Sequence, residues 1–234
     1  CGGSNDDTSF TPEQTSTDVR GVLIDGTISN AKVCIDLNTN SQCDTNEPFA
    51  ITESDGTYAF PVLNTNIEKF PLIAEITADS RDSDFPGIPL EPVVLSTPAG
   101  QTKVISPITT LVQAQLRKDP SLSLTQATAK VKQLLGEDES INLFEDFVST
   151  NNDNLHKKAQ VINNVFAQAL KDIREKTTND SDFNEDSTLA IALSVLEDKL
   201  PEISAKVNTA IAQAKASNSS VIDISIDEII SDLK

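Results

Sequence analysis

The sequence has no methionine, no tryptophan, one histidine and one tyrosine among its 234 residues. Each scarcity excludes something. A single histidine cannot assemble a zinc site of the usual His/Cys type once two of the three cysteines pair. Basic residues are few, 18 Lys and Arg against 36 Asp and Glu, for a net charge of −18. That balance excludes nucleic-acid binding, which needs basic patches to displace counterions from phosphates. No stretch approaches the roughly 18 consecutive apolar residues of a membrane-spanning helix. The G-x-S-x-G elbow, the phosphate-binding Walker loop and the G-x-G-x-x-G fingerprint are all missing. Aromatic rings, on which sugars commonly stack, amount to Tyr58 and nine phenylalanines.

What is present begins with three cysteines, Cys1 alone and Cys34 close to Cys43. A chain with Cys1 first and no methionine reads as a processed one. Cys1-Gly2-Gly3-Ser4 resembles the start of a mature bacterial lipoprotein. In that family the sulfur of the first residue carries a diacylglycerol and its amine an acyl chain. The resemblance implies a covalent lipid on Cys1, and Gly2 in place of Asp implies sorting to the outer membrane, with the cell surface favoured. Several acyl chains, at about 0.8 kcal/mol per buried CH₂, would make the anchor essentially permanent. The alternative is a chain end that happens to fall on a cysteine. Residues 4–18 are polar and acidic and read as a flexible tether. Outside the cytoplasm disulfides persist, so Cys34 and Cys43 are expected to pair; two buried free thiols are the other reading.

The chain changes character near Ile105. Before it, short β-type runs alternate with turn residues: Val19 to Ile24 into Asp25-Gly26, then Ala31, Val33 and Ile35, then Tyr58 and Phe60 after Asp55-Gly56. Further apolar runs are Leu72 to Thr77 and Val93 to Leu95. Pro61, Pro71, Pro86, Pro89, Pro92 and Pro98 argue against helix throughout this half. After it the period becomes helical. Ser106-Pro107 reads as an N-cap and first-turn pair. Ser123 caps a helix that stops at Gly136. Leu155, Ala159, Ile162, Val165, Phe166, Ala169, Leu170 and Ile173 form one stripe. Separate helices are predicted over 189–196 and from Pro201 to Ala214, then a short strand at Ile222, Ile224 and Ile226 followed by a helical turn at Ile229, Ile230 and Leu233. The expected fold is α+β: a tether over 1–18, a β-sandwich over 19–104 and a helical part over 105–234. His156, beside Lys157 and Lys158, is expected on the surface.

The most specific motif runs from Asp36 to Glu47. Calcium, a hard cation, takes six to eight oxygens, and a twelve-residue loop supplies them from positions 1, 3, 5, 7, 9 and 12. Those positions hold Asp36, Asn38, Asn40, Gln42 through its carbonyl, Asp44 and Glu47. Ser41 stands at position 6, where glycine usually makes the sharp turn. The flanks are strand-like and Pro48 follows directly, so the loop joins strands rather than helices. Three carboxylates with three neutral oxygens predict a dissociation constant on the order of 10⁻⁴–10⁻³ M, suited to a structural ion. The competing reading is an Asx-rich turn without metal.

Residues 19–63 resemble carboxypeptidase-regulatory-like and transthyretin-like modules and the B-repeats of bacterial adhesins. The likeness rests on Gly21 to Asp36, on the acidic loop, and on Thr52-Glu53-Ser54-Asp55-Gly56-Thr57-Tyr58-Ala59-Phe60. It implies an immunoglobulin- or transthyretin-like sandwich stabilised by calcium, with no catalytic activity, in a cell-surface setting. Ile105 to Val112 resembles a segment of surface lipoproteins of marine proteobacteria. The expected function is a non-catalytic surface lipoprotein acting in adhesion, interaction or filament-like assembly, with a protein partner or a second copy. A small-molecule- or lipid-binding lipoprotein using the helical half is the alternative, and carboxylate chemistry a third reading. The remaining acidic charge is read as solvation.

Overall fold

The structure, a computed structural model, describes residues 14–233. Cys1 and most of the expected tether lie outside the described residues. The first half is built of short strands: β1 (Ser16–Leu23), β2 (Ile28–Ser29), β3 (Lys32–Ile35), β4 (Phe49–Ile51) and β5 (Thr57–Leu63). After a single helical turn, α1 (Asn64–Ile67), come β6 (Leu72–Ile76), β7 (Arg81–Asp82), β8 (Val93–Thr97) and β9 (Val104–Ile105). They form a three-stranded sheet in the order β5-β1-β9, a four-stranded sheet β4-β3-β6-β8, and the pair β2-β7. In β5 the alternation is clean: Tyr58, Phe60 and Val62 are buried while Thr57, Ala59 and Pro61 are exposed. Pro61 is tolerated because a proline in a strand needs only a position without a ladder N–H.

The second half is helical: α2 (Pro107–Lys118), α3 (Leu124–Leu134), α4 (Asp153–Thr177), α5 (Glu185–Ala216), a 3-10 turn (Val221–Asp223) and α6 (Ile226–Ser231). The fold is therefore α+β, with sheets first and helices second. Both serine caps form. Ser106 Oγ accepts from the Ile108 and Thr109 amides, and Thr109 Oγ1 accepts from the Ser106 amide in return. Ser123 and Gln126 make the same reciprocal pair at α3. Such a cap contributes about 1 kcal/mol. At α2 it also docks the helix, since Thr109 Oγ1 donates to the Ser96 carbonyl of β8 (2.7 Å) and Thr110 Oγ1 accepts from the Ser96 amide (2.9 Å). One buried apolar cluster runs from Leu23 and Leu95 through Leu111 to Phe166 and Leu200, so strands and helices share a core.

Three expectations are corrected. The two helices predicted on either side of Pro201 are one, α5, with the proline inside it. Proline removes one amide donor and crowds the carbonyl four residues back, here that of Glu197. Leu196, Leu200, Ile203 and Val207 are buried on both sides of it, and that packing outweighs the break. The tail at Ile222–Ile226 is a 3-10 turn leading into α6 rather than a strand. The carbonyls of Ile222 and Ile224 take the Lys157 ammonium at 2.9 and 2.7 Å instead of a strand partner. His156 is buried, only 6% exposed, as are Lys157 and Lys158 beside it.

Candidate functional site

Two places gather polar chemistry. The first is the Asp36–Glu47 loop between β3 and β4. The Cys34–Cys43 disulfide ties β3, two residues before the loop, to the loop's eighth position, with Cα atoms 5.8 Å apart and nine residues of separation. Closing so short a loop stabilises by about 2–3 kcal/mol. Asp36, 2% exposed, accepts from the amides of Asn40 (3.2 Å) and Ser41 (2.9 Å). Asn38 Oδ1 accepts from the Asn40 amide and Asn40 Oδ1 from the Gln42 amide. Glu47, 3% exposed, folds back to accept from the Leu37 amide (2.6 Å) and the Asp44 amide (2.8 Å). Asp44 Oδ2 accepts from the side-chain amides of Asn38 (2.7 Å) and Asn40 (2.9 Å). Burial pushes the Asp36 carboxyl up, opposed by the Ser41 amide, and Glu47 adds to the upward push.

Ser41 does adopt the left-handed turn expected at position 6, with φ 62°; Thr39 is also left-handed at 55°. A hydroxyl is used there. Ser41 Oγ donates to Asp186 Oδ1 (2.7 Å) in the first turn of α5, and accepts from Arg117 at the end of α2. Arg117 grips Asp186 with both arms, at 2.6 and 2.7 Å. Its hydrogen bonds hold the Asp186 carboxyl below its ordinary range.

The donor types and the backbone turn fit a hard cation. The side-chain arrangement fits in part: Asn38 and Asn40 present their NH₂ groups to Asp44, and a cation there needs both amides turned so that oxygen replaces nitrogen. Among the described residues no three His, Cys, Asp or Glu side chains are drawn into a metal-holding group.

The second place was not foreseen from the sequence. A cavity of about 760 Å³ lies between the turns after β1 and β7 and helix α4. Asp82 Oδ1 accepts from the Asp84 amide (2.9 Å), and the Asp82 carboxyl is also bonded by the Gly26 backbone. The approach is close enough that a Cβ on Gly26 would lie 2.2 Å from Asp82 Oδ1, so any other residue there must displace the aspartate. Asp84 Oδ2 bonds His156 Nε2 and accepts from Gln160 Nε2, both at 2.7 Å. Asp25, 4% exposed, accepts from Asn163 Nδ2 at 2.9 Å. Burial, with Asp82 and Asp84 nearby, pushes Asp25 well above the ordinary carboxylate range. Burial likewise raises Asp82 to about 6. Burial also pushes on Asp84, but the His156 and Gln160 bonds outweigh it and leave that carboxyl lowered. The signal for this site was a polar stripe on α4: His156, Gln160 and Asn163 repeat at helical spacing beside the apolar one.

No helix among the described residues is long and apolar enough to cross a membrane. Comparison with protein-family models, with curated proteins and with solved structures finds no match for the chain.

Proposed function

We propose that the chain is a non-catalytic cell-surface module that works by protein contact and is braced by a structural calcium ion. The observation that carries this reading is the edge strand β4, which starts two residues after Glu47, the last calcium position. Strand β4 pairs with β3 on one side and ends the four-stranded sheet on the other. Phe49 and Ile51, two residues apart and on one face, are 48% and 47% exposed. An apolar edge strand is a template for pairing with another chain. A second copy of this chain is the occupant that fits the assembly reading. Calcium held by Asp36, Asn38, Asn40, Gln42, Asp44 and Glu47 would fix the start of β4 through Glu47 and so favour association.

The finer parts of the reading rest on narrower support. Two sheets drawing on one core are what an immunoglobulin- or transthyretin-like sandwich would have. The Cys34–Cys43 disulfide suits an oxidising, extracytoplasmic setting. The lipid on Cys1 and the outer-membrane location rest on the lipoprotein-like Cys1-Gly2-Gly3-Ser4. The test is sedimentation velocity over a concentration series in calcium, comparing the natural chain with Ile51→Lys. Association that the lysine abolishes supports the reading. A strict monomer, with and without calcium, contradicts it.

A further inference from the structure

The cavity between the β1 and β7 turns and α4 has two walls and a floor. One wall is the loop before β8, with Phe85, Ile88, Leu90 and Glu91 on the lining; the other is the unbroken run from Ile222 to Asp227. The floor is one face of α4, where Gln160, Asn164, Ala167 and Gln168 follow at helical spacing. Buried Ile28, Ile76 and Val93 line its depth. Ile88 on the rim is 55% exposed, more than any other large apolar side chain among the described residues, and Phe85 is 37% exposed. Exposed apolar residues scattered singly need no explanation, but these two stand on the lining of one concavity.

Both walls are held in place without an occupant. Pro86 and Pro89 fix the φ angles of the loop. The Ile88 amide donates to the Phe85 carbonyl (3.3 Å), and Arg174 of α4 donates to the Pro92 carbonyl (2.7 Å). On the other wall the Ile222 and Ile224 carbonyls take the Lys157 ammonium. A surface already shaped in this way loses little conformational freedom when a partner binds.

Charge selects the occupant. The exposed charged residues on the lining are Glu91, Asp223 and Asp227, all acidic. Lys171, outside the lining, meets Glu91 at 3.4 Å. Asp25 is not counted, since burial favours its neutral form. Anionic partners are repelled and cationic ones drawn in. A second copy carries the same net charge of −18, and residues 1–13 hold Asp6, Asp7 and Glu13 with no lysine or arginine. Neither is complementary to the groove. A small molecule seated among Ile28, Ile76 and Val93 would leave the rim at Phe85 and Ile88 uncovered, whereas a peptide lying across the mouth covers the rim and sends a side chain inward.

We propose that this groove docks a segment of a partner protein that combines apolar residues with lysine or arginine. The apolar side chains pack on Phe85 and Ile88 and enter toward Ile28, Ile76 and Val93, and the cations lie beside Asp223 and Asp227. The contact is separate from the β4 edge and needs neither calcium nor a second copy.

The test is selection from a displayed random-peptide library on the immobilised full chain in EDTA, followed by fluorescence anisotropy of the selected peptides. These are expected to combine apolar residues with lysine or arginine. Ile88→Glu, which alters an exposed side chain, is expected to weaken their binding by about tenfold or more, and Asp223→Asn with Asp227→Asn by about fivefold or more. Rising salt is expected to weaken it too. No selected peptide, peptides rich in acidic residues, or binding unchanged in either variant overturns the proposal. Self-association of the chain alone that is lost in Ile88→Glu overturns it in favour of a second copy.

Discussion

The hydroxyl of Ser41 donates to the carboxylate of Asp186 at 2.7 Å, joining a loop of the first half to the start of α5 across 145 residues of sequence. This contact accounts for serine where the loop pattern has glycine. The left-handed backbone at Ser41 costs roughly 1 kcal/mol. A hydrogen bond to a charged partner contributes about 1.5–3 kcal/mol when buried and less where, as here, Asp186 is partly exposed. Ser41→Gly relieves the first and loses the second, so its unfolding free energy is expected to lie within about 1 kcal/mol of the natural chain. Ser41→Ala keeps the strain and loses the bond, and is expected to cost about 1–2 kcal/mol. Urea unfolding of the two variants checks the difference; a Gly variant less stable than the Ala variant would remove this account of Ser41.

Gly26 is set by proximity. A methyl group there would meet Asp82 Oδ1 at 2.2 Å and the Asp84 Cγ at 2.7 Å. Gly26→Ala is expected to destabilise by about 2–4 kcal/mol, because backbone or both aspartates must move. Gly87, whose added Cβ would meet nothing within 4 Å, is a poor control because its φ is 79°. Thermal melting of Gly26→Ala against the natural chain is the measurement, and an unchanged midpoint would contradict the close approach.

How much of this was legible in the sequence differs by element. Ser106, Ser123 and Gly136 are local signals, and each acts within a few residues of itself: two caps and a left-handed stop at φ 62°. The cysteine pair was legible for the same reason. The continuity of α5 through Pro201 was not, because it depends on Leu196, Leu200 and Ile203 finding a core that no local pattern contains. His156 and Gln160 were unreadable as a site because their partner Asp84 lies 72 and 76 residues away. The loop itself was legible down to the left-handed turn at its sixth position. Its attachment to Arg117 and Asp186 was not.

The buried aspartates give the protein an unusual pH response. Asp82 has an ordinary value of 3.8 and a folded value of about 6, raised chiefly by burial. The folded state therefore holds this proton more tightly than the unfolded chain does. Its contribution to stability is full below about pH 3.8 and is lost as pH rises through about 6. Asp25 shifts in the same direction, and Asp84, lowered by His156 and Gln160, in the opposite one. Between these pH values the natural chain is expected to lose on the order of 1–3 kcal/mol as pH rises. Asp82→Asn, which keeps an oxygen for the Gly26 and Asp84 amides, is expected to flatten that slope. Urea unfolding at a series of pH values checks it, and identical slopes would contradict the assignment.

The proposed bracing of the Asp36–Glu47 loop by calcium is tested most directly by the melting temperature of the full chain in about 10 mM calcium against EDTA. With a dissociation constant on the order of 10⁻⁴–10⁻³ M, that concentration stabilises the folded state by about 1.4–2.7 kcal/mol. For a chain of this size the midpoint is expected to rise by about 3–10 °C in calcium. The rise is expected to disappear in Glu47→Gln, which takes a carboxylate from the loop. A midpoint that is the same in calcium and in EDTA would contradict a structural metal in the Asp36–Glu47 loop.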